Sequence, residues 1–441
     1  MSPQRHAHAA VLLATLLAAA SASAQAPQGS PAWGRVSLFT TASSTSYDTG
    51  PSRSLTELIG TVTLESRAAE DASYEYRADL RFAGYPGTEG RSQRVSIYDA
   101  YAGLRFGGGR FVARGGQMWL NDLGGLGSVG GGLFEVRQPL RAGHGRWRGG
   151  VFAGLEPKIM EAGYEQDIFK AGGLVAYDGR GARRHIFGYV YVRDRGQTER
   201  SVLLTTNFLP IGKKLYVYEA LQYEMGGPGV SGGGTLGYFF GTARYTANSF
   251  LEVQGTYHRG RSIDSRTLLR DELDGRPVLP GALDGLRFES AYARATVTVR
   301  RGVRLFGGYG ADKNNRQDQR TDRFNYGVFL ADLLHTGFDV SASDNRVQGG
   351  DGRSFDSWYV SVGRSLGSSV YLTADYGSSL SVIRFVSADG FTIETRPKTR
   401  RGALSSTIRL PARMSLLVTL EHVSDNDTSQ SRLLSGISYR F

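Results

Sequence analysis

The residue types able to do chemistry in this chain are few and scattered. It contains no cysteine, which excludes thiolate nucleophiles, thiolate zinc sites, Fe–S clusters and disulfides. His422 and Ser424 stand two residues apart, a spacing that puts a base and a hydroxyl on one face of a strand. A nucleophilic serine needs an aligned base and a group to orient that base, and the sequence assigns no such third group. His144, His185, His258 and His335 are isolated and lack metal-ligand spacing. Asp344, Asp351 and Asp356 offer oxygen ligands of the kind Ca²⁺ takes, but without the spacing of a calcium loop, so they read as solvated loop acids. Gly125-Leu-Gly-Ser-Val-Gly130 fits G-x-G-x-x-G. A dinucleotide site needs that motif to open a helix, whereas Leu133-Phe-Glu-Val-Arg137 follows it as a strand. No catalytic residue, metal ligand or cofactor is therefore expected.

The denser signal is a charge at every second position. Glu75, Arg77, Asp79 and Arg81 alternate with Tyr74, Tyr76, Ala78, Leu80 and Phe82, which no helix can present as two faces. Strict alternation means a strand with one polar and one apolar side. The same period recurs along the chain, for example Leu251, Val253, Gly255 and Tyr257 against Glu252, Gln254, Thr256 and His258. Around Tyr189 and Glu219 both parities carry apolar residues, and the reading there is ambiguous. Twenty-two strands are expected, near 33–47, 55–67, 73–85, 94–107, 110–119, 131–138, 146–156, 166–178, 184–194, 199–209 and 214–225, and then near 234–246, 249–260, 286–300, 302–312, 321–333, 335–344, 354–365, 368–384, 400–410, 413–425 and 430–441. The number falls to twenty if the hairpin near 184–209 is misread. Connections after even strands read as tight, such as Gly107-Gly-Gly109 and Pro411-Ala412. Those after odd strands read as mostly longer, and include Arg261 to Gly285.

Composition agrees with this reading. The 441 residues include 60 Gly, 23 Tyr and 21 Phe, with 40% hydrophobic residues, which excludes a polytopic helical membrane protein built on stretches of about 20 apolar residues. A formal charge of +11 is spread along the chain without a Lys/Arg block of the kind that binds nucleic acid. Met1 to Ala24 runs from a basic start at Arg5 through an apolar stretch to Ala22-Ser-Ala24, the order of a cleavable secretory signal. The expected organisation is a signal peptide at 1–24, a short periplasmic segment at 25–32 and one β-barrel over 33–441, with no room for a plug domain.

The last strand, Leu434-Ser-Gly-Ile-Ser-Tyr-Arg-Phe441, resembles the C-terminal signal of Gram-negative outer-membrane β-barrels. The resemblance rests on Gly436, Tyr439 and the terminal Phe441. It implies a transmembrane antiparallel up-and-down β-barrel in the bacterial outer membrane. Its partners would be outer-membrane lipid and lipopolysaccharide, the barrel-assembly machinery that reads the last strand, and small polar solutes; the oligomeric state stays open. The long connections would be external and the tight ones periplasmic, an asymmetry typical of such barrels. His422-Val-Ser424-Asp-Asn426 is also similar to the H-x-S-N-G segment of outer-membrane phospholipases, although Asp425 interrupts the motif and Asp427 replaces its Gly.

With the apolar parity toward lipid, Glu75, Arg77, Asp79, Arg81, Asp99, Arg105, Arg114, Glu135 and Arg137 line the inner wall of the third to sixth strands. Facing lipid, each arginine would cost about 2–4 kcal/mol at mid-depth, whereas in a hydrated channel such charges bias the passage of ions. The expectation is a porin-like passive channel for small polar or anionic solutes, with a modest anion preference. The alternatives are an outer-membrane lipid hydrolase and a non-conducting barrel for polysaccharide or lipid export or scaffolding. The same charges could instead form salt-bridged ladders that stiffen the wall.

Overall fold

The computed structural model describes residues 32–441 apart from 67–72, 87–92, 139–144, 159–160, 231–232, 279, 351 and 387–391. The expected signal peptide, most of the segment 25–32 and Asp351 lie outside the described residues. Each alternating stretch of sequence forms a strand. In chain order these are Ala32–Tyr47 (β1), Gly50–Ser66 (β2), Tyr74–Gly84 (β3), Arg94–Phe106 (β4), Phe111–Trp119 (β5), Ser128–Arg137 (β6), Arg146–Pro157 (β7) and Tyr164–Asp178 (β8). Next come Arg184–Asp194 (β9), Gln197–Ile211 (β10), Leu215–Gly226 (β11), Thr235–Thr246 (β12), Leu251–Ser262 (β13), Leu286–Arg300 (β14), Val303–Asn314 (β15) and Gln317–Leu330 (β16). The last are Phe338–Gly349 (β17), Ser354–Leu366 (β18), Val370–Val386 (β19), Thr392–Thr395 (β20), Lys398–Leu410 (β21), Met414–Ser424 (β22) and Thr428–Arg440 (β23).

Every strand pairs antiparallel with its neighbours, and β1 pairs with both β2 and β23, so the sheet closes on itself. The ring holds twenty-two strands. The short β20 stands outside it and extends only the β19 end, through Ile383↔Thr395 to Val386↔Thr392. The doubtful hairpin is real, as β9 and β10. The two longest connections also fall after odd strands as expected, but Asp48-Thr49, Arg195-Gly196 and Asn315-Arg316 are tight hairpins on that same rim.

The pleat assigns the two faces. Leu104, Val151, Phe187 and Leu404 are each more than half exposed and mark the outer face, which for Leu104 is the parity expected to meet lipid. On the opposite parity the wall divides into two kinds. Along β17 to β22 the inward residues are mainly polar: Ser341, Ser343, Ser361, Thr373 and Ser405 stand in partly exposed positions, and Tyr359, Asp375, Arg401 and Glu421 share their face, with Tyr359 OH 2.6 Å from Asp375 Oδ1 and Arg401 Nη2 2.6 Å from Glu421 Oε2. Along β5 to β10 a packed layer covers the inner face. It contains Val112, Met118, Val129, Leu133, Ile168, Leu174, Ile186, Val190, Val202 and Leu204, all buried.

That inner layer exists because the β5–β6 connection turns into the barrel. Asn121–Leu126 forms a 3-10 turn that seats Leu123 and Leu126 in the layer, and the bond from Leu120 N to Gly127 O at 2.9 Å closes its base. Gly124 sits at φ 57°, a left-handed conformation that glycine adopts without strain. Gly188 provides the seat, since a Cβ there would lie 2.6 Å from Leu123 Cδ2. Burying a leucine in this way is worth about 1.5–3 kcal/mol.

The longest connection described, between β13 and β14, carries a helix, Ser265–Leu273 (α1), capped by Asp264, whose carboxylate accepts from Thr267 N at 3.1 Å. Its Leu268 and Leu269 are buried. The helix reaches across to β7, β9 and β10, where Arg266 meets Glu156 and Glu199 and Arg270 meets Asp194.

Candidate functional site

All nine charges expected on the inner wall share one face, because the cross-strand register links their positions. Glu75 lies opposite Gly103 and Gly103 opposite Arg114, while Asp79 lies opposite Asp99 and Val112 opposite Glu135. Their partners differ. Glu75, with a side chain 5% exposed, is held by Arg114 and by Arg105, whose Nε lies 2.7 Å from Oε2. Arg77 Nε approaches Asp99 Oδ2 at 3.2 Å and reaches Glu65 at 3.8 Å. Asp99 also accepts from Trp119 N at 2.8 Å, which fixes the point where β5 leaves the wall. Arg137 pairs with Glu135. Asp79 and Arg81 have no ion-pair partner among the described residues. Four of the five arginines are thus paired, Arg105 and Arg114 sharing the one carboxylate of Glu75.

The sequence reading did not find the central residue of the network. Asp122, at the tip of the inward turn, bridges two arginines, with Arg148 Nη1 2.6 Å from Oδ2 and Arg184 Nη2 2.6 Å from Oδ1. Arg148 also reaches Asp178 at 3.2 Å and Glu135 at 3.6 Å, and Arg184 reaches Asp178 at 3.1 Å. The network therefore runs from Arg137 to Arg184 and pins the turn to the wall. A second cluster lies under α1. Glu156 takes Lys170 at 3.1 Å and Arg266 at 3.0 Å, Arg266 continues to Glu199 at 3.2 Å, and Arg270 Nε lies 2.7 Å from the fully buried Asp194. Burial works against the charge on Arg266, but Glu156 and Glu199 outweigh it and hold its pKa above the ordinary value. The only sequence signal for the Asp122 contacts was the glycine-rich segment that follows it. Contacts between residues far apart in sequence leave no local pattern.

From β10 to β14 the inner face is aromatic. Phe208 and Tyr218 lie 4.8 Å apart between ring centroids, Tyr218 and Phe240 5.8 Å, Phe240 and His258 6.0 Å, and His258 and Phe288 4.7 Å. Tyr238 joins the row 5.1 Å from His258. The row explains the mixed parity read around Glu219, just as the inner layer explains it around Tyr189. Between this row and the inward turn lies a cavity of about 500 Å³, bounded by Asn121, Asp122, Arg184, Phe208, Tyr218 and Tyr238 among others.

The arrangement expected of a hydrolase is not assembled. His422 Nδ1 lies 3.0 Å from Ser431 Oγ and Nε2 3.5 Å from Ser429 Oγ, and Ser424 is not its partner. Asn426 donates to Arg396 O and accepts from Lys398 N, which leaves it occupied in its own loop. His185 is not isolated: its Nδ1 is 2.8 Å from Asn207 Oδ1, and Asn207 donates to Glu219 at 3.2 Å, with no hydroxyl among the described residues completing the chain. Asp344 pairs with Arg346 at 3.0 Å.

The residues of the C-terminal resemblance sit at the seam of the ring. Phe441 and Gly34 exchange backbone bonds of 3.1 and 3.2 Å. A Cβ on Gly34 would overlap the Phe441 ring, and one on Gly436 would overlap Phe39. Tyr439 lies 5.9 Å from Phe441 between centroids.

No family model matches this chain, and no curated protein does. Among solved structures it is similar to Pseudomonas aeruginosa OccK8 (OprE), at 11% identity over 93% of this chain and 98% of that one, with a TM-score of 0.44. Acinetobacter baumannii OccAB4 matches at 10% identity over 94% and 99%, with a TM-score of 0.42. A BenF-like porin from Pseudomonas fluorescens Pf-5 matches at 9% identity over 93% and 99%, with a TM-score of 0.42.

Proposed function

We propose that the chain is an outer-membrane channel for the passive passage of small polar solutes. The observation that carries this is the closed twenty-two-strand ring with an apolar outer face and a polar, charged inner one. Only a closed barrel satisfies every backbone hydrogen bond of a lipid-exposed sheet. Charges gathered on the inner parity of β3 to β6, and apolar side chains exposed on the other, fit a wall between water and lipid. Among the described residues no separate domain fills the ring. The segments that enter it, the turn at 121–126 and the loop bearing α1, line one side and support a narrowed passage.

In this reading the rim bearing α1 faces outward, outer-membrane lipid and lipopolysaccharide surround the barrel, and the assembly machinery recognises the strand ending at Phe441. The pairing of Arg77, Arg105, Arg114 and Arg137 with carboxylates supports weak charge selectivity and passage of uncharged solutes. His422 without an orienting group gives no support to lipid hydrolysis. Refolded protein in a planar bilayer is expected to give discrete conductance steps. Silent bilayers together with release of fatty acid from phospholipid would overturn the channel reading.

A further inference from the structure

We infer that the aromatic row and the cavity beside the inward turn form a binding site for neutral sugar rings. The inference rests on the channel reading for the way solute reaches the site, and deepens it by naming a solute class. A pyranose has two kinds of surface: a flat face of C–H groups that stacks on aromatic rings, and an edge of hydroxyls that needs hydrogen-bond partners. The cavity of about 500 Å³ supplies both. Phe208, Tyr218 and Tyr238 form its aromatic side. Asn121, Thr206 and Gln222 also border it, and their side chains, like the hydroxyls of Tyr218 and Tyr238, have no hydrogen-bond partner among the described residues. Polar groups left unpaired at a cleft are satisfied by water or by a solute that replaces it.

The charge of the site argues for a neutral solute. Asp122 is shared by Arg148 and Arg184, and Arg184 is shared by Asp122 and Asp178. No free cation is left among the described residues bordering the cavity to hold a carboxylate. From the cavity the rings continue through Phe240 and His258 to Phe288, each within 6.0 Å of the next. A ring leaving one platform therefore meets another, which lets a sugar move along the wall without losing all of its stacking.

The test uses the refolded full-length barrel, with cellobiose as probe, sorbitol as a polyol without a ring, and benzoate as a flat anion. Binding is read twice, as block of the ion current in a planar bilayer and as heat of binding in detergent micelles. Cellobiose is expected to block in the millimolar range, with sorbitol and benzoate at least about tenfold weaker, a factor equal to about 1.4 kcal/mol. Phe208→Leu and Tyr218→Leu keep apolar bulk but lose the π face, and each should weaken cellobiose binding about tenfold. Phe208→Tyr should restore it, and Gln222→Met should weaken it. Tyr359→Leu, on the far wall, should leave cellobiose affinity unchanged. The unblocked current of each variant, read in the same trace, reports whether its pore has formed. Conductance without cellobiose binding overturns the sugar site and leaves the channel standing, whereas calorimetric binding without conductance does the reverse. Equal affinity for sorbitol, or tighter binding of benzoate, overturns the sugar site.

Discussion

The wall from β5 to β10 and the wall from β17 to β22 are built from the same antiparallel hairpins, yet only the first carries a second layer. On the first, Leu123 and Leu126 of the inward turn join Ile186, Val190 and Leu204 in one buried cluster, as in the interior of a water-soluble domain. On the second, inward residues bond to one another across the strands, as in Ser405 with Thr419 at 3.0 Å and Ser415 with Ser438 at 2.7 Å, and otherwise meet solvent. The apolar face of a strand in this barrel thus has two meanings. Apolar residues stand on the outer face around the ring, and on one side of it the inner face is apolar too, packed against a folded insert.

The sharpest way to break this contrast is to put the same charge on both walls. Leu123→Asp places a carboxylate in the inner layer, where an unpaired buried charge costs several kcal/mol. The expected result is an undocked turn, a larger single-channel conductance and cleavage of the 120–127 segment by added protease. Ser343→Asp on the far wall should leave conductance steps and protease resistance as in the parent protein. Equal tolerance of both substitutions would mean that the inner layer does not hold the turn.

A smaller effect separates two arginines that the sequence treats alike. Arg105 donates to the buried Glu75, and Arg105→Ser removes charge-assisted bonds worth about 1.5–3 kcal/mol, read as a lower midpoint in urea unfolding. Arg114 remains on Glu75 and keeps the loss from being larger. Arg81 has no acidic partner among the described residues, so Arg81→Ser should leave that midpoint in place and move the zero-current potential toward cations. The shift should fade with salt as the Debye length falls from about 10 Å at 0.1 M to about 3 Å at 1 M. If Arg105→Ser changes selectivity and not stability, the ladder reading of Glu75 fails.

The contrast also shows what a sequence can reveal of such a molecule. Strands were legible wherever one face is polar and the other apolar, because side chains then alternate along the pleat, as between Ser73 and Phe82. Legibility ended where the inner face also became apolar, around Tyr189 and Glu219, because period two disappears when both sides of a strand carry apolar residues. That the charges of β3 to β6 share one face could be read residue by residue, but their partners could not. Asp122 joins Arg148 and Arg184 only because the turn folds inward, and α1 meets Glu156 only because its loop crosses several strands of the ring. Both are consequences of closure, which brings together residues that no local pattern links.

The smallest expected effect concerns the cap of α1 and is read against pH. Asp264 accepts a bond from Thr267 N, and that backbone bond, with the Thr267 hydroxyl, holds its carboxyl below the usual value. A depressed folded-state pKa contributes stability that is present above the unfolded pKa and is lost as pH falls through the folded one. Asp264→Asn keeps a cap that does not titrate, whereas Asp264→Ala removes it at a cost of about 1 kcal/mol. Docking of α1 can be followed with a fluorophore at position 273, where Leu273 is 43% exposed. At pH 7 the alanine variant should show more undocked helix than the parent, with the asparagine variant between them or equal to the parent. Below about pH 4, the ordinary carboxylate value, the parent should begin to lose this advantage, and as pH falls through the depressed folded value it should approach the alanine variant while the asparagine variant stays docked relative to both. Arg266 and Arg270 stay charged throughout, so a difference between parent and alanine that persists at low pH would show that Asp264 acts through packing rather than through its charge.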